Sequence, residues 1–195
     1  MRTLLDACVL FPTILREILT DVAAAGAYTP LWSERILQEW RHATAKLGRD
    51  QQEIAGAEAA LLQSRFPNAM VAVGRESELG VQLPDAGDLH VLKAALDGRA
   101  DVIVTLNLRD FPARTLRQLG LSALHPDEFL TDLARRDPDL VGSAVRRALA
   151  RAHAAGGTGL SQRDMLARAR LPRLNKFLSK SAGEGSGSGV TGGRA

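Results

Sequence analysis

Apolar positions recur at two periods along this chain, and the alternation between them predicts its layout. The stretch from Arg2 to Asp6, "RTLLD", is short and nearly all apolar, the pattern of a strand buried on both faces. In "FPTILREILTDVAAAG" the spacing changes to the helical one, with Ile14, Leu15, Ile18, Leu19 and Val22 on one face, Pro12 suited to a first turn and Gly26 as a stop. "WSERILQEWRHATAKLG" predicts a second helix capped by Ser33, with Ile36, Leu37, Trp40 and Ala43 as its apolar stripe. "DQQEIAGAEAALLQSRF" predicts a third, with Asp50 as cap and Glu53 three residues on. "AMVAV" is too short for a helix and predicts a second strand. The helix beginning in "LPDAGDLHVLKAAL" runs to about Asp97 and Gly98, and "DVIVTL" from Asp101 is the clearest strand, rich in β-branched residues. A loop, a short helix over about Ala113 to Leu119, and a last short strand in "LSALHP" follow.

The predicted order, β-α-α-α-β-α-β-α-β, implies an α/β fold: a mostly parallel central sheet with helices on both faces, a three-layer α/β/α arrangement. From Pro126 the pattern is helical only, through "DEFLTDLARRD", "PDLVGSAVRRALARAHAAGG", "SQRDMLARARL" and "PRLNKFLSK". The expected organisation is therefore an α/β domain over 1–126, an all-helical segment over 127–180, and a disordered Gly/Ser-rich tail over 181–195.

Composition narrows the classes. The one cysteine, Cys8, excludes a disulfide framework and a thiolate metal site, and reads as a small buried hydrophobe. No apolar run approaches the ~20 residues of a membrane span, and no signal-peptide pattern opens the chain, so a cytoplasmic protein with no membrane partner is expected. The net charge of +3 says less than its distribution. Met1 to Leu140 carries 15 Lys and Arg against 20 Asp and Glu, whereas Val141 to Lys180 carries 9 against Asp164 alone. A basic helical segment behind an acidic body permits contact with a polyanion.

The acids fall where a parallel sheet binds its ligands, outside the carboxyl ends of the strands. Asp6 ends the first strand, Asp110 follows the strand "DVIVT", and Asp88 opens the helix leading into that strand, with Asp85 three residues earlier as its N-cap. Glu39 lies beside the apolar stripe of its helix. Taken singly, each acid is also an ordinary turn, cap or solvated residue, and Thr105 and Asn107 are ordinary strand and loop residues. Clustered carboxylates repel unless a cation neutralises them. An all-oxygen donor set points to Mg²⁺ or Mn²⁺ and to metal-assisted phosphodiester hydrolysis. His90 belongs to another helix face, as a packing or supporting residue, and Trp32 and Trp40 belong to the core. A haloacid-dehalogenase-type phosphatase would need an Asp where Cys8 stands, a receiver domain would need a late Lys, and no Walker A or G-x-G-x-x-G loop is present.

"LLDACVLFP", "SERILQEWRH", "LPDAGDLHVLKAAL" and "DVIVTLNLRDFP" together resemble, in order and spacing, the motifs of PIN-domain ribonucleases, and most of all the toxins of VapBC-type toxin–antitoxin systems. The resemblance covers about Met1 to Pro126. It implies that Asp6, Glu39, Asp88 and Asp110 bind Mg²⁺ or Mn²⁺, that Thr105 and Asn107 line the same site, and that the substrate is RNA. It also implies a cognate antitoxin as partner, and a homodimer. Close relatives often carry a denser acid run where this chain has "PDAGD", so Asp85 is not counted among the implied ligands, and the helical segment after Pro126 exceeds a minimal PIN domain. Two alternatives stay open: a catalytically silent module with the same fold, and a nuclease acting on structured DNA.

Overall fold

The computed structural model describes residues 1–46, 48–74 and 80–185. The chain folds as two compact units, Met1–Pro126 and Asp127–Ala195. Among the described residues the first is built on five strands: β1 (Arg2–Leu5), β2 (Thr29–Ser33), β3 (Met70–Val71), β4 (Val102–Val104) and β5 (Ser122–Leu124). All pair in parallel, in the order β3-β2-β1-β4-β5. Such a sheet is fed in both directions from its first strand, so the order reverses between β1 and β4. With crossovers of the near-universal right hand, the helices before β3 cover one face and those after it the other.

One strand escapes the sequence pattern. β2, "TPLWS", carries a proline and no clean alternation, and the expected four-strand order is corrected to five. Pro30 is tolerated because alternate residues of a parallel strand bond to alternate neighbours. The Thr29 N–H donates to Met1 O of the β1 side and the Trp32 N–H to Ala69 O of the β3 side. Pro30 therefore faces the β3 side below the point where that strand begins, and its missing N–H leaves no gap in the ladder.

The helices are α1 (Ala7–Leu10), α2 (Thr13–Ala24), α3 (Glu34–Ala45), α4 (Arg49–Arg65), α5 (Leu89–Asp97) and α6 (Ala113–Gln118). Several boundaries differ from those expected. β1 stops at Leu5, and Asp6 is the N-cap of the unexpected short helix α1. α4 begins at Arg49 after Gly48, which places Asp50 inside the first turn rather than at the cap. β3 keeps only two residues of "AMVAV". Before α5 comes a separate 3₁₀ turn, Ala86–Asp88. The core is fully buried Leu4, Leu5, Ile18, Leu19, Leu31, Ile103 and Val104, with Trp32 and Trp40 inside it as expected.

The second unit comprises α7 (Pro126–Arg136), α8 (Pro138–Ala154), α9 (Gln162–Arg168) and α10 (Pro172–Gly185). Buried Asp127 organises it. Its two carboxylate oxygens accept from the Arg173 and Leu174 N–H groups, both at 3.0 Å, so α7 caps the start of α10. Helix α10 continues five residues into the stretch expected to be disordered, and the rest of that stretch, from residue 186, lies outside the described residues. Among the described residues no helix is long and apolar enough to cross a membrane.

Candidate active site

In open parallel sheets the ligand crevice lies at the carboxyl ends of the two strands where the order reverses. Here those are β1 and β4, and the residues just past them are Asp6 and Thr105. The two are locked together. The Asp6 N–H donates to Val104 O (3.2 Å), continuing the ladder one residue beyond β1. The Thr105 hydroxyl, completely buried, donates to Asp6 Oδ2 at 2.7 Å and accepts the Asn107 N–H at 3.0 Å. Although Asp6 is the N-cap of α1, its carboxylate accepts no capping hydrogen bond, so it is not consumed by helix formation. An acid 7% exposed at a strand end is costly unless something holds its charge.

Cys8 is a correction to the sequence expectation. It is half-buried, and its Sγ donates to Asp6 Oδ2 (3.0 Å), lies 3.4 Å from Thr105 Oγ1 and accepts the Leu106 N–H (3.2 Å). Burial, then the Asp6 charge, push the thiol up to about 12, so it stays a neutral donor. Nothing in the sequence distinguishes this role from packing, because a single cysteine reads as a small hydrophobe until its neighbours are known.

Asp85 and Asp88 divide as the turn before α5 requires. Asp85 Oδ1 accepts the Gly87 N–H at 2.7 Å and caps the 3₁₀ turn, not α5 itself. A Cβ on Gly87 would lie 2.9 Å from that oxygen, so glycine is what lets the cap close. Asp88 occupies the N-cap position of α5, yet its side chain makes no capping bond. Its carboxyl is pushed up to about 6, first by burial and then by the charges of Asp6, Asp110, Asp85 and Glu39. Four carboxylates from four separate segments thus share one electrostatic space with Asp88.

Glu39 enters from α3, 39% exposed, and is also raised, first by burial and in part by Asp6. Its Oε1 lies 2.9 Å from His90 Nε2 and accepts from Arg35 Nε at 3.4 Å. His90, on α5, is held neutral by burial, with its pKa down at about 4. Arg35 was missed, although its i,i+4 spacing to Glu39 was a visible signal. Asp110 lies half-buried in a 3₁₀ turn, Leu108–Asp110, and Asn107 is exposed, joined to the cluster through its backbone N–H.

Among the described residues no three His, Cys, Asp or Glu side chains are gathered tightly enough to hold a metal ion as they stand. The donor chemistry nevertheless suits a hard divalent cation. Every candidate ligand is a carboxylate oxygen, and the mutual field that disfavours charge on Asp88 is what a cation relieves. Among the described residues, Asp6 and Glu39 also each keep one oxygen uncommitted. Both side-chain bonds to Asp6 fall on Oδ2, and both to Glu39 fall on Oε1.

Comparison with known proteins agrees with this architecture. The family model described as PIN domain matches residues 2–109, more than half of the chain, a span that takes in Asp6, Glu39, Asp88, Thr105 and Asn107. A protein of Mycobacterium tuberculosis named as a ribonuclease, VapC50, is 56% identical over 45 residues, which is 23% of this chain and 27% of the relative. The match thus spans about a quarter of that relative's length. No solved structure matches.

Proposed function

The chain belongs to the PIN-domain family, and from that premise we propose that it is a divalent-metal-dependent endoribonuclease, the toxin of a toxin–antitoxin pair. Asp6, Glu39, Asp88 and Asp110 would hold Mg²⁺ or Mn²⁺. Such an ion activates water and draws negative charge off the phosphoryl oxygens. The observation that carries the proposal is the coupling of Asp88 to Asp6, Asp110 and Glu39 beside the point where the strand order reverses.

The surrounding residues have defined tasks in this scheme. Thr105 and Cys8 fix the Asp6 carboxylate by donating to Oδ2, which would leave Oδ1 to hold the ion. His90 and Arg35 do the same for Glu39 through Oε1. Asp85 holds the turn that delivers Asp88 without spending the Asp88 carboxylate on a cap. The cytoplasmic setting, the cognate antitoxin and the homodimer belong to the same proposal, and rest on the family and on the resemblance to toxin motifs.

The test is cleavage of RNA with Mg²⁺ or Mn²⁺ against EDTA, with Asp6→Asn beside the wild type and a DNA substrate as a third arm. The proposal predicts metal-dependent RNA cleavage that Asp6→Asn lowers by about 10²-fold or more, the scale of losing one electrostatic contributor. A wild type that cleaves no RNA, or a mutant as active as the wild type, overturns it. A folded protein with no thermal shift on Mn²⁺ addition would instead identify a silent module.

A further inference from the structure

Beside the acid cluster, at the carboxyl ends of β2 and β3, the first unit holds a cavity of about 650 Å³ that none of the residues discussed so far requires. Its volume lies within the ~300–1,000 Å³ of small-ligand sites. We infer that it is a nucleobase subsite, which takes the base of the nucleotide next to the phosphodiester that the acid cluster addresses. The inference rests on the nuclease proposal for the substrate, but not on metal at the acids.

Four observations point to a nucleotide. The lining is mixed, with Val71 and Val73 offering apolar surface and the Gln63 amide and backbone of the strand end offering polar groups, which matches a ring with an apolar face and a hydrogen-bonding edge. Two cations flank it, Arg35 and the half-buried Lys93, and Lys93 has no ion pair among the described residues. A phosphodiester approaching four carboxylates is repelled, and cations beside them supply the attraction RNA binding needs. The acid at the rim, Glu34, already accepts a hydrogen bond from Gln38 at 3.3 Å.

The fourth observation is His90. Its imidazole is 9% exposed, lines the cavity, and sets Nε2 2.9 Å from Glu39 Oε1. A neutral imidazole that turns Nε2 to a carboxylate carries its proton there and leaves Nδ1 as the acceptor, and Nδ1 is buried with no hydrogen-bond partner among the described residues. An orphaned buried acceptor in a native site calls for a donor. The amino or imino N–H of a base edge supplies one. The same ring therefore joins the cavity to the acid cluster, which sets the bound base beside the phosphodiester addressed there.

The experiment titrates the full chain, without added metal, with the four nucleoside 5′-monophosphates and with ribose 5-phosphate, following the His90 Nδ1 nitrogen signal by NMR. Nucleotides are expected to bind at least about tenfold tighter than ribose 5-phosphate, a difference of about 1.4 kcal/mol, and to shift the Nδ1 signal as it accepts a hydrogen bond. The double variant Gln63→Ala/Lys93→Ala, both residues on helix surfaces, should weaken the nucleotides about fivefold or more. In cleavage assays it should raise KM, flatten the base preference beside the cut, and leave kcat unchanged. Equal binding of ribose 5-phosphate, an unmoved Nδ1 signal, or unchanged KM and base preference in the variant overturns the subsite. Nucleotide binding without any metal-dependent RNA cleavage would leave the subsite standing and remove the nuclease proposal. Cleavage without nucleotide binding would do the reverse.

Discussion

Replacing Asp88 with Asn should stabilise the protein in the absence of metal while abolishing the proposed RNA cleavage. In the fold the Asp88 carboxyl titrates at about 6 instead of its ordinary 3.8. Below pH ~3.8 both folded and unfolded chains carry the proton, and the residue contributes nothing to the pH dependence. Between ~3.8 and ~6 the unfolded chain has lost its proton and the folded chain still holds it, so stability falls as pH rises. Above ~6 the folded carboxyl is charged too, and the full penalty persists. A shift of about two units corresponds to about 3 kcal/mol. Asp88 is half-buried, so solvent screening reduces this to about 1–2 kcal/mol.

The amide introduced by Asp88→Asn keeps the shape and removes the charge, so the variant should recover about 1–2 kcal/mol at pH 8 and only about a fifth of that at pH 4. Urea unfolding in EDTA at both pH values measures the two gaps, and the pH 4 value controls for any change in packing or hydrogen bonding. Adding Mn²⁺ at about 100 times its dissociation constant should stabilise the wild type by about 2.7 kcal/mol and the variant far less. The stability order should therefore reverse with metal. A gap of the same size at pH 4 and pH 8, or a variant that Mn²⁺ stabilises as well as the wild type, refutes the electrostatic account of Asp88. Asp85→Asn keeps an acceptor oxygen for the Gly87 N–H and should stay within ~0.5 kcal/mol of wild type with its activity retained; Asp85→Ala should cost ~1 kcal/mol.

Thr105→Val removes the buried hydroxyl that holds Asp6 and orphans the Asn107 N–H. It should cost about 2–3 kcal/mol in chemical denaturation, and Thr105→Ser should recover most of that loss. Iodoacetamide should alkylate Cys8 at pH 8 at least ~10²-fold more slowly than a free thiol, because the reactive thiolate is scarce; Asp6→Asn should raise the rate, and an unchanged rate would show that the Asp6 charge does not act on the thiol. Gly98→Ala places a Cβ 2.9 Å from Ala94 O and from Val71 Cγ2 and 3.1 Å from Leu31 Cδ1, between α5 and two strands. Overpacking there should cost about 1–3 kcal/mol, and a midpoint equal to wild type would mean that the strand side chains move aside freely.

What was legible in the sequence followed from local rules. Asp6 at the end of an apolar strand, Thr105 after the β-branched run and Asp88 behind a cap could each be placed because strand ends and helix starts announce themselves within a few residues. β2 could not, since Pro30 is a strand breaker unless its missing donor falls beyond the reach of the neighbour, and that depends on the register with β3. Asp50 illustrates the opposite error. A sound capping pattern lost to a helix that starts two residues earlier, after Gly48. Cys8 and the His90–Glu39 contact were out of reach for a further reason. Their meaning lies in contacts across 97 and 51 positions of the chain, Cys8 to Thr105 and Glu39 to His90, which no window of sequence contains. The same holds for the cavity, whose walls come from β2, β3, α3, α4 and α5. Residue types that can carry charge chemistry are visible in one dimension. The groups that hold those charges in place, and the space beside them that selects what they act on, exist only after the sheet has closed.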